Sequence, residues 1–260
     1  MRFLGGLVVL TALVLVSLSI GSAPVSAVAY AVPCADARGC PDLLPNTHRH
    51  RMFAIVDRTF LSTDCSVQEG FVPPGERRLL QFPVETGNAG PGDLHVGNPA
   101  ARPDLFEFSP CHQHYHFKGF AQYSLWRPAD YGLWRHVRDA SPDLLREVVM
   151  ASSGLPPPVV QSRKMAFCME DVLKFLPGDQ AARKYTCADQ GIQAGWSDVY
   201  GNGLPGQWVD ITGVPAGNYI LEVELNPDWL IQEGSYADNV AAASVSFTDG
   251  ASKCTCTWTY

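Results

Sequence analysis

Residues 219-YILEVELNP-227 alternate: Tyr219, Leu221, Val223 and Leu225 fall on one side, Glu222 and Glu224 on the other. A period of two is that of a strand with one apolar face. The turn 214-VPAGN-218 leads into it from 207-QWVDITG-213, and the three segments together read as a β-hairpin. Further strands are expected at 77-RRLLQF-82, which ends at Pro83 and the turn 87-GNAGPGD-93, at the aromatic-rich 117–126, and at 239-NVAAASVSF-247. One helix is expected over 142-PDLLREVVMAS-152, with Ser141 as N-cap and Gly154 as its stop, followed by the loop 154-GLPPPVVQ-161. Short strands punctuated by turns predict a mainly β fold. It is expected to be a single antiparallel β-sandwich-like domain with long loops and one or two short helices.

The chain opens with Arg2 as its one charge, an apolar run from Phe3 to Ile20, and Val25-Ser26-Ala27. This is the layout of a secretory signal peptide over 1–27. The rival is an uncleaved anchor, since the apolar run is near the length that spans a bilayer. Cleavage leaves 233 of the 260 residues, enough for one domain with its own core. Residues 28–40 read as an irregular arm and 41–260 as the domain. Loss of Arg2 moves the net charge from −7 to −8. A moderately acidic chain without a basic run is not built to hold nucleic acid, and no membrane partner is expected after cleavage. Such a surface draws cations, amines included, though weakly at physiological salt.

All eight cysteines (34, 40, 65, 111, 168, 187, 254 and 256) follow the signal. An even number in an exported chain predicts disulfides and an extracellular, oxidising location. A thiolate metal site would want CxxC spacing, which is missing.

In 107-EFSPCHQHYHFKGF-120, His112, His114 and His116 occupy alternate positions, and the chain holds only seven histidines. On a strand all three share a face, with Gln113 and Tyr115 opposite. Four strand steps span roughly 13 Å, so the backbone is expected to bend or bulge for all three to reach one ion. The plain alternative is a strand with exposed histidines. Three imidazoles suit zinc or copper.

CHQHYH is followed by 163-RKMAFCMED-171, by 185-YTCADQGIQAGWSDVYGNGLPGQWVDITGVPAGNYILEVELNP-227 and by 232-QEGSYADNV-240. In this order the blocks resemble the catalytic domain of the lysyl oxidase family of copper amine oxidases, from about Pro41 to Asp249. The resemblance implies copper on His112, His114 and His116, and a lysine tyrosylquinone cofactor made by cross-linking Lys164 to Tyr200. Asp198, two residues before Tyr200, is a candidate base. Calcium is implied at Asp42, Leu43, Glu233, Asp238 and Asn239, hard oxygen donors of the kind that ion takes. Ser235 stands where a carboxylate is expected. Disulfides Cys65–Cys111 and Cys168–Cys187 are also implied. Of the remaining cysteines, either Cys34–Cys40 closes a small loop or the two chain ends are stitched together, since residues two apart rarely bridge. The sequence departs from the pattern at Phe108-Ser109-Pro110 and at Gln122, where members carry histidines, and in the insertion around 127–160.

The chemistry accounts for these residue types. Copper(II) and O₂ oxidise a phenol ring, and a nearby neutral amine adds to it. The product is an electrophile that ordinary side chains lack. The expectation is a secreted oxidase that takes a primary amine or peptidyl lysine and O₂ to an aldehyde, ammonia and H₂O₂. Two rivals stand beside it. One is a non-catalytic secreted copper- or calcium-binding β-sandwich module. The other is a zinc hydrolase, for which the sequence offers no HExxH motif.

Overall fold

A computed structural model describes residues 30–47, 49, 52–141, 144–178 and 181–259. The expected signal segment lies outside the described residues. In chain order the first strands are β1 (Leu43–Asn46), β2 (Ala54–Phe60), β3 (Gly75–Gln81), β4 (Val84–Asn88) and β5 (Leu94–Gly97). Next come β6 (Phe106–Ser109), β7 (His114–Trp126), β8 (Val160–Ala166), β9 (Leu173–Lys174) and β10 (Gln190–Ile192). The last are β11 (Trp196–Tyr200), β12 (Trp208–Asp210), β13 (Gly217–Leu225), β14 (Val240–Phe247) and β15 (Thr255–Thr259). The helices are α1 (Cys65–Gln68), α2 (Pro128–Asp139) and α3 (Arg146–Ser153).

The largest sheet runs β15-β14-β13-β7-β6, with β8 also paired to β7. Smaller sheets are β1-β4-β11-β9, β12-β3-β2 and β10-β5, and the strand pairs are antiparallel. The alternation that marked 219–227 as a strand also sets its faces. Leu221, Val223 and Leu225 enter a core shared with Ala121, Tyr123 and Leu125 of β7, Leu80 of β3, Val84 of β4 and Tyr200 of β11. Phe82 meets Tyr123 edge to face at 4.8 Å between centroids. The domain is thus mainly β and sandwich-like, as expected.

The expected hairpin between 207–213 and 219–227 does not form. β12 pairs with β3 (Trp208↔Gln81, Asp210↔Leu79), while β13 pairs with β14 and β7. Trp208 packs on Phe60 of β2, with ring centroids 6.0 Å apart, and this burial takes the first strand to another sheet. Alternation sets a strand's faces but does not choose its neighbour.

The insertion forms two helices where one was expected. α2 begins with Pro128, whose missing N–H costs nothing at a helix start, and it carries Asp130 in its first turn and Arg138 in its last. The expected helix over 142–152 starts later, at Arg146, with Leu145 rather than Ser141 at the N-cap. Leu144 N–H bonds the Ser141 carbonyl at 3.2 Å, and residues 142–143 of the expected helix lie outside the described residues. Gly154 stops the helix as expected, at φ 65, a left-handed value that glycine adopts freely.

These helices cover the second face of the large sheet. Trp134 stacks on Trp126 at 5.7 Å, in a cluster with Val149 and Ile220. Glu222 and Glu224, which read as a polar face, are therefore buried. Arg146 meets Glu222 at 2.7 Å and also bonds Glu224, and Trp134 Nε1 donates to Glu222 at 3.0 Å.

All eight cysteines are paired. Cys65–Cys111 and Cys168–Cys187 form as implied, and Cys34–Cys40 closes its small loop. Cys254 and Cys256 bridge each other, against the expectation that residues two apart do not. Their Cα atoms are 5.4 Å apart, inside the ordinary disulfide range, where the chain turns into β15. Among the described residues no helix is long and apolar enough to cross a membrane.

An Arg146→Met variant removes the guanidinium that bridges the buried carboxylates Glu222 and Glu224, leaving Arg138 3.8 Å from Glu224. It should lose about 3–5 kcal/mol of stability in urea titration, and adding Glu224→Gln should recover part of that loss.

Candidate active site

The three histidines reach one place by two routes. His114 and His116 lie on β7, whereas His112 projects from the turn 110–113 that joins β6 to β7, so it is not on the strand. Gln113 at φ 59 makes this turn, and here the expected bend is found. Tyr115 points away, onto Phe108. Imidazole centroids are 4.9 Å apart for His114 and His116, 5.6 Å for His112 and His114, and 5.8 Å for His112 and His116. His114 Nε2 and His116 Nε2 stand 3.1 Å apart. Two nitrogens bound to one ion at about 2.0–2.1 Å each are separated by about 3 Å, so the donor set fits a metal. Burial, together with the neighbouring imidazoles, holds the His114 and His116 rings below their ordinary pKa, in the neutral form that a metal needs.

Glu69 was not anticipated. It caps α1, and its Oε1 lies 2.8 Å from His112 Nδ1. Ligand atoms of Glu69, His112 and His116 all lie within 4.8 Å of one another. The available signal was the implied Cys65–Cys111 bridge, which ties the helix just before Glu69 to the residue just before His112.

Lys164 comes from β8, opposite Ala121 of β7. The β7–β8 register shifts between Phe117 and Ala121, around Gly119 at φ 72. The lysine is fully buried, and its Nζ donates to the Pro205 carbonyl at 2.9 Å. Gly206, at φ 71, brings that loop over the amine: a Cβ there would stand 3.5 Å from Nζ. Nζ lies 4.1 Å from the Phe167 ring centroid and 5.3 Å from that of Tyr200. Loss of water lowers its pKa to about 7, against the opposing charges of Asp198 and Glu69.

Tyr200 and Asp198 share one side of β11, as their spacing suggested, and both are buried. The Tyr200 hydroxyl donates to the Cys168 carbonyl at 3.1 Å, beside the Cys168–Cys187 bridge. Burial pushes the Asp198 carboxyl up to about 8, with the Tyr200 hydroxyl partly offsetting it. Asp198 Oδ1 accepts from Val199 N–H at 2.8 Å, and Oδ2 has no partner among the described residues. Burial and the Asp198 charge raise the Tyr200 phenol well above its usual pKa.

Phe167 joins the two halves. Its ring lies 5.0–5.5 Å from all three imidazoles and against the Lys164 amine. A cleft of about 260 Å³ opens on His116, lined by Glu69, Glu107, Phe108 and Met165. Gln122 is buried on β7, with its Nε2 unpartnered among the described residues.

The implied calcium residues gather at the domain's start and near its end. Glu233 accepts from Leu43 N–H at 2.6 Å and from the amides of Asn226 and Asn239 at 2.7 and 2.8 Å. Burial raises its pKa to about 8. Asp42 accepts from Ser235 N–H at 3.1 Å and is raised by burial and by the charge of Asp238. Among the described residues Asp42, Glu233 and Asp238 do not converge as closely as the histidine group.

Comparison with known proteins places these features. The lysyl oxidase family model matches residues 154–256, an interval that holds Lys164, Asp198 and Tyr200; the histidines precede it. Lysyl oxidase homolog 1 of Homo sapiens is 29% identical over 230 residues, covering 83% of this chain and 35% of that protein. Protein-lysine 6-oxidase of Gallus gallus is 29% identical over 225 residues, 81% of this chain and 46% of that protein. The Homo sapiens protein-lysine 6-oxidase is 32% identical over 224 residues, 81% of this chain and 46% of that protein. The chain spans about a third to a half of the length of these curated relatives. With identity modest but sustained over four-fifths of its residues, this chain belongs to the lysyl oxidase family as a divergent member.

Proposed function

We propose that this chain is a secreted copper- and quinone-dependent amine oxidase, carried by residues 41–260 after a signal at 1–27 and an arm at 28–40. One observation carries the reading. The buried Lys164 amine, with its pKa near 7, lies 5.3 Å from the Tyr200 ring and against the phenylalanine that also backs the histidines. His112, His114 and His116 would hold copper, and Lys164 and Tyr200 would form lysine tyrosylquinone. Copper and quinone together supply the oxidation of RCH₂NH₂ by O₂ and water to RCHO, NH₃ and H₂O₂.

The chain's own residues do the rest. Lys164 presents an amine that is half neutral near pH 7, as bond formation at nitrogen requires. Asp198, its carboxyl raised to about 8, ionises as pH rises toward that value, so beside Tyr200 its ionised form can accept a proton and its acid form can return it. The charged groups lining the cleft at His116 are the carboxylates Glu69 and Glu107, which suits a protonated amine, small or on a peptidyl lysine. Phe108 and Met165 offer an apolar wall to the carbon chain. Four disulfides support an oxidising, extracellular location. Calcium at Asp42, Leu43, Glu233, Asp238 and Asn239 belongs to the same reading. Burial first, and then the neighbouring Asp238 charge, raises the Asp42 pKa, and a cation there would offset both.

After copper loading in air, peptide mass spectrometry should show the Lys164 and Tyr200 peptides joined. Cross-link yield at fixed time should climb as pH rises through about 7, because the amine loses its proton there. Copper bound with the two peptides still separate would leave only the non-catalytic module.

In cross-linked protein, Asp198→Asn should lower amine-dependent H₂O₂ release by about 10²–10⁴-fold, and an unchanged rate would remove Asp198 as the base.

Calcium should raise the unfolding temperature of the wild type, with about 2.7 kcal/mol expected at a hundredfold excess over Kd. Calcium should have no such effect on Asp42→Asn.

A further inference from the structure

We propose that Glu69 is a positioning residue of the metal centre: its carboxylate accepts the Nδ1 proton of His112 and turns Nε2 toward the ion. The inference rests on the metal-centre reading above and adds a residue that the three-histidine set does not contain.

The geometry is specific. Glu69 Oε1 and Oε2 lie 2.8 and 3.0 Å from His112 Nδ1, so both oxygens face one ring nitrogen. A carboxylate on one imidazole nitrogen fixes the tautomer, leaves the other nitrogen to the metal and raises its basicity. His114 and His116 converge through their Nε2 atoms, which puts the focus of the site on that side of the rings. Were Glu69 instead a direct ligand, it would have to leave His112 Nδ1 without its partner. Its distance to His116 Nδ1, 3.9 Å, is longer than a hydrogen bond and places it beside the rings.

Glu69 is itself held from three directions. Its backbone N–H bonds the Cys65 carbonyl at 2.9 Å, which closes α1. The Ser109 hydroxyl donates to Oε1, and the same hydroxyl accepts the His112 backbone N–H at 2.9 Å. The Cys65–Cys111 bridge joins the two segments covalently. Side-chain rotation of His112 is therefore restricted at Nδ1 while its backbone is pinned through Ser109. His112 needs this more than the other two, because it alone stands in a turn and lacks strand pairing.

The test uses full-length secreted protein with its disulfides intact, and copper(II) as the probe. Chelator competition should give Glu69→Gln a Kd about 10–100-fold weaker than wild type. Glu69→Asp, which keeps the charge, should recover part of the loss, and Ser109→Ala should lose affinity in the same direction. The copper EPR spectrum, taken at saturating copper, should keep the wild-type nitrogen hyperfine pattern in Glu69→Gln, because the ligand set is unchanged. An altered copper hyperfine coupling in that variant would make Glu69 a direct ligand and overturn the assignment. Equal Kd values for wild type and Glu69→Gln would overturn it too, while leaving the copper site standing. A wild type that binds no copper overturns the metal reading itself, and Glu69 with it. If Glu69→Gln loses its near-UV circular dichroism, the Kd of Ser109→Ala decides: loss supports the role and wild-type affinity refutes it.

Discussion

Moving a lysine amine out of water and under a carbonyl and aromatic rings penalises its charged form by several kcal/mol, and among the described residues no carboxylate bonds the nitrogen directly to repay that cost. The pKa falls to about 7 instead, so near that pH half of the amine is neutral. Much of the architecture serves this one desolvation. β7 must bulge after Phe117 so that Lys164 on β8 lands opposite Ala121, a side chain small enough to leave room. The loop at Pro205 and Gly206 must close over the amine. Phe167, one residue beyond β8, must turn its ring toward both the amine and the imidazoles. Tyr200 arrives from a different sheet, and its hydroxyl is docked on the Cys168 carbonyl, so a disulfide steadies the second partner of the pair.

The opposite face of the large sheet solves the reverse problem. There two glutamates are buried, and Arg146 from the inserted helix α3 bridges both, with Arg138 of α2 3.8 Å from Glu224 and Trp134 satisfying a remaining lone pair. One sheet thus eases the proton off a cation on one side and pairs anions on the other. The difference follows from the available partners: Lys164 faces rings and a carbonyl, whereas the glutamates face a guanidinium that can bridge both.

Much of this is legible in the sequence. Period-two alternation located β13, the Pro83 turn bounded β3, aromatic content marked β7, 239–247 gave β14, and the resemblance singled out the residues that meet around Phe167. What could not be read was partnership. The alternation at 207–213 is equally compatible with pairing to β13 or to β3, and the burial of Trp208 against Phe60 decides between them. Glu222 and Glu224 look solvent-facing until helices cover them, and α2 was missed because its apolar residues are few and Gly132 interrupts them. Glu69 stands forty-three residues from His112, beyond the reach of any local pattern. The Cys254–Cys256 bridge broke a rule of spacing that holds for most chains.

That separation is shorter than it looks. Through the Cys65–Cys111 bond the covalent path from Glu69 to His112 crosses four residues in α1 and one in the turn, instead of forty-three. Closing the shorter loop costs about 2 kcal/mol less in chain entropy. The contact between a helix cap and a hairpin tip thereby becomes a local one. The ordering of that corner is met when the thiols are oxidised, so an ion that binds the oxidised chain meets a turn already held in place.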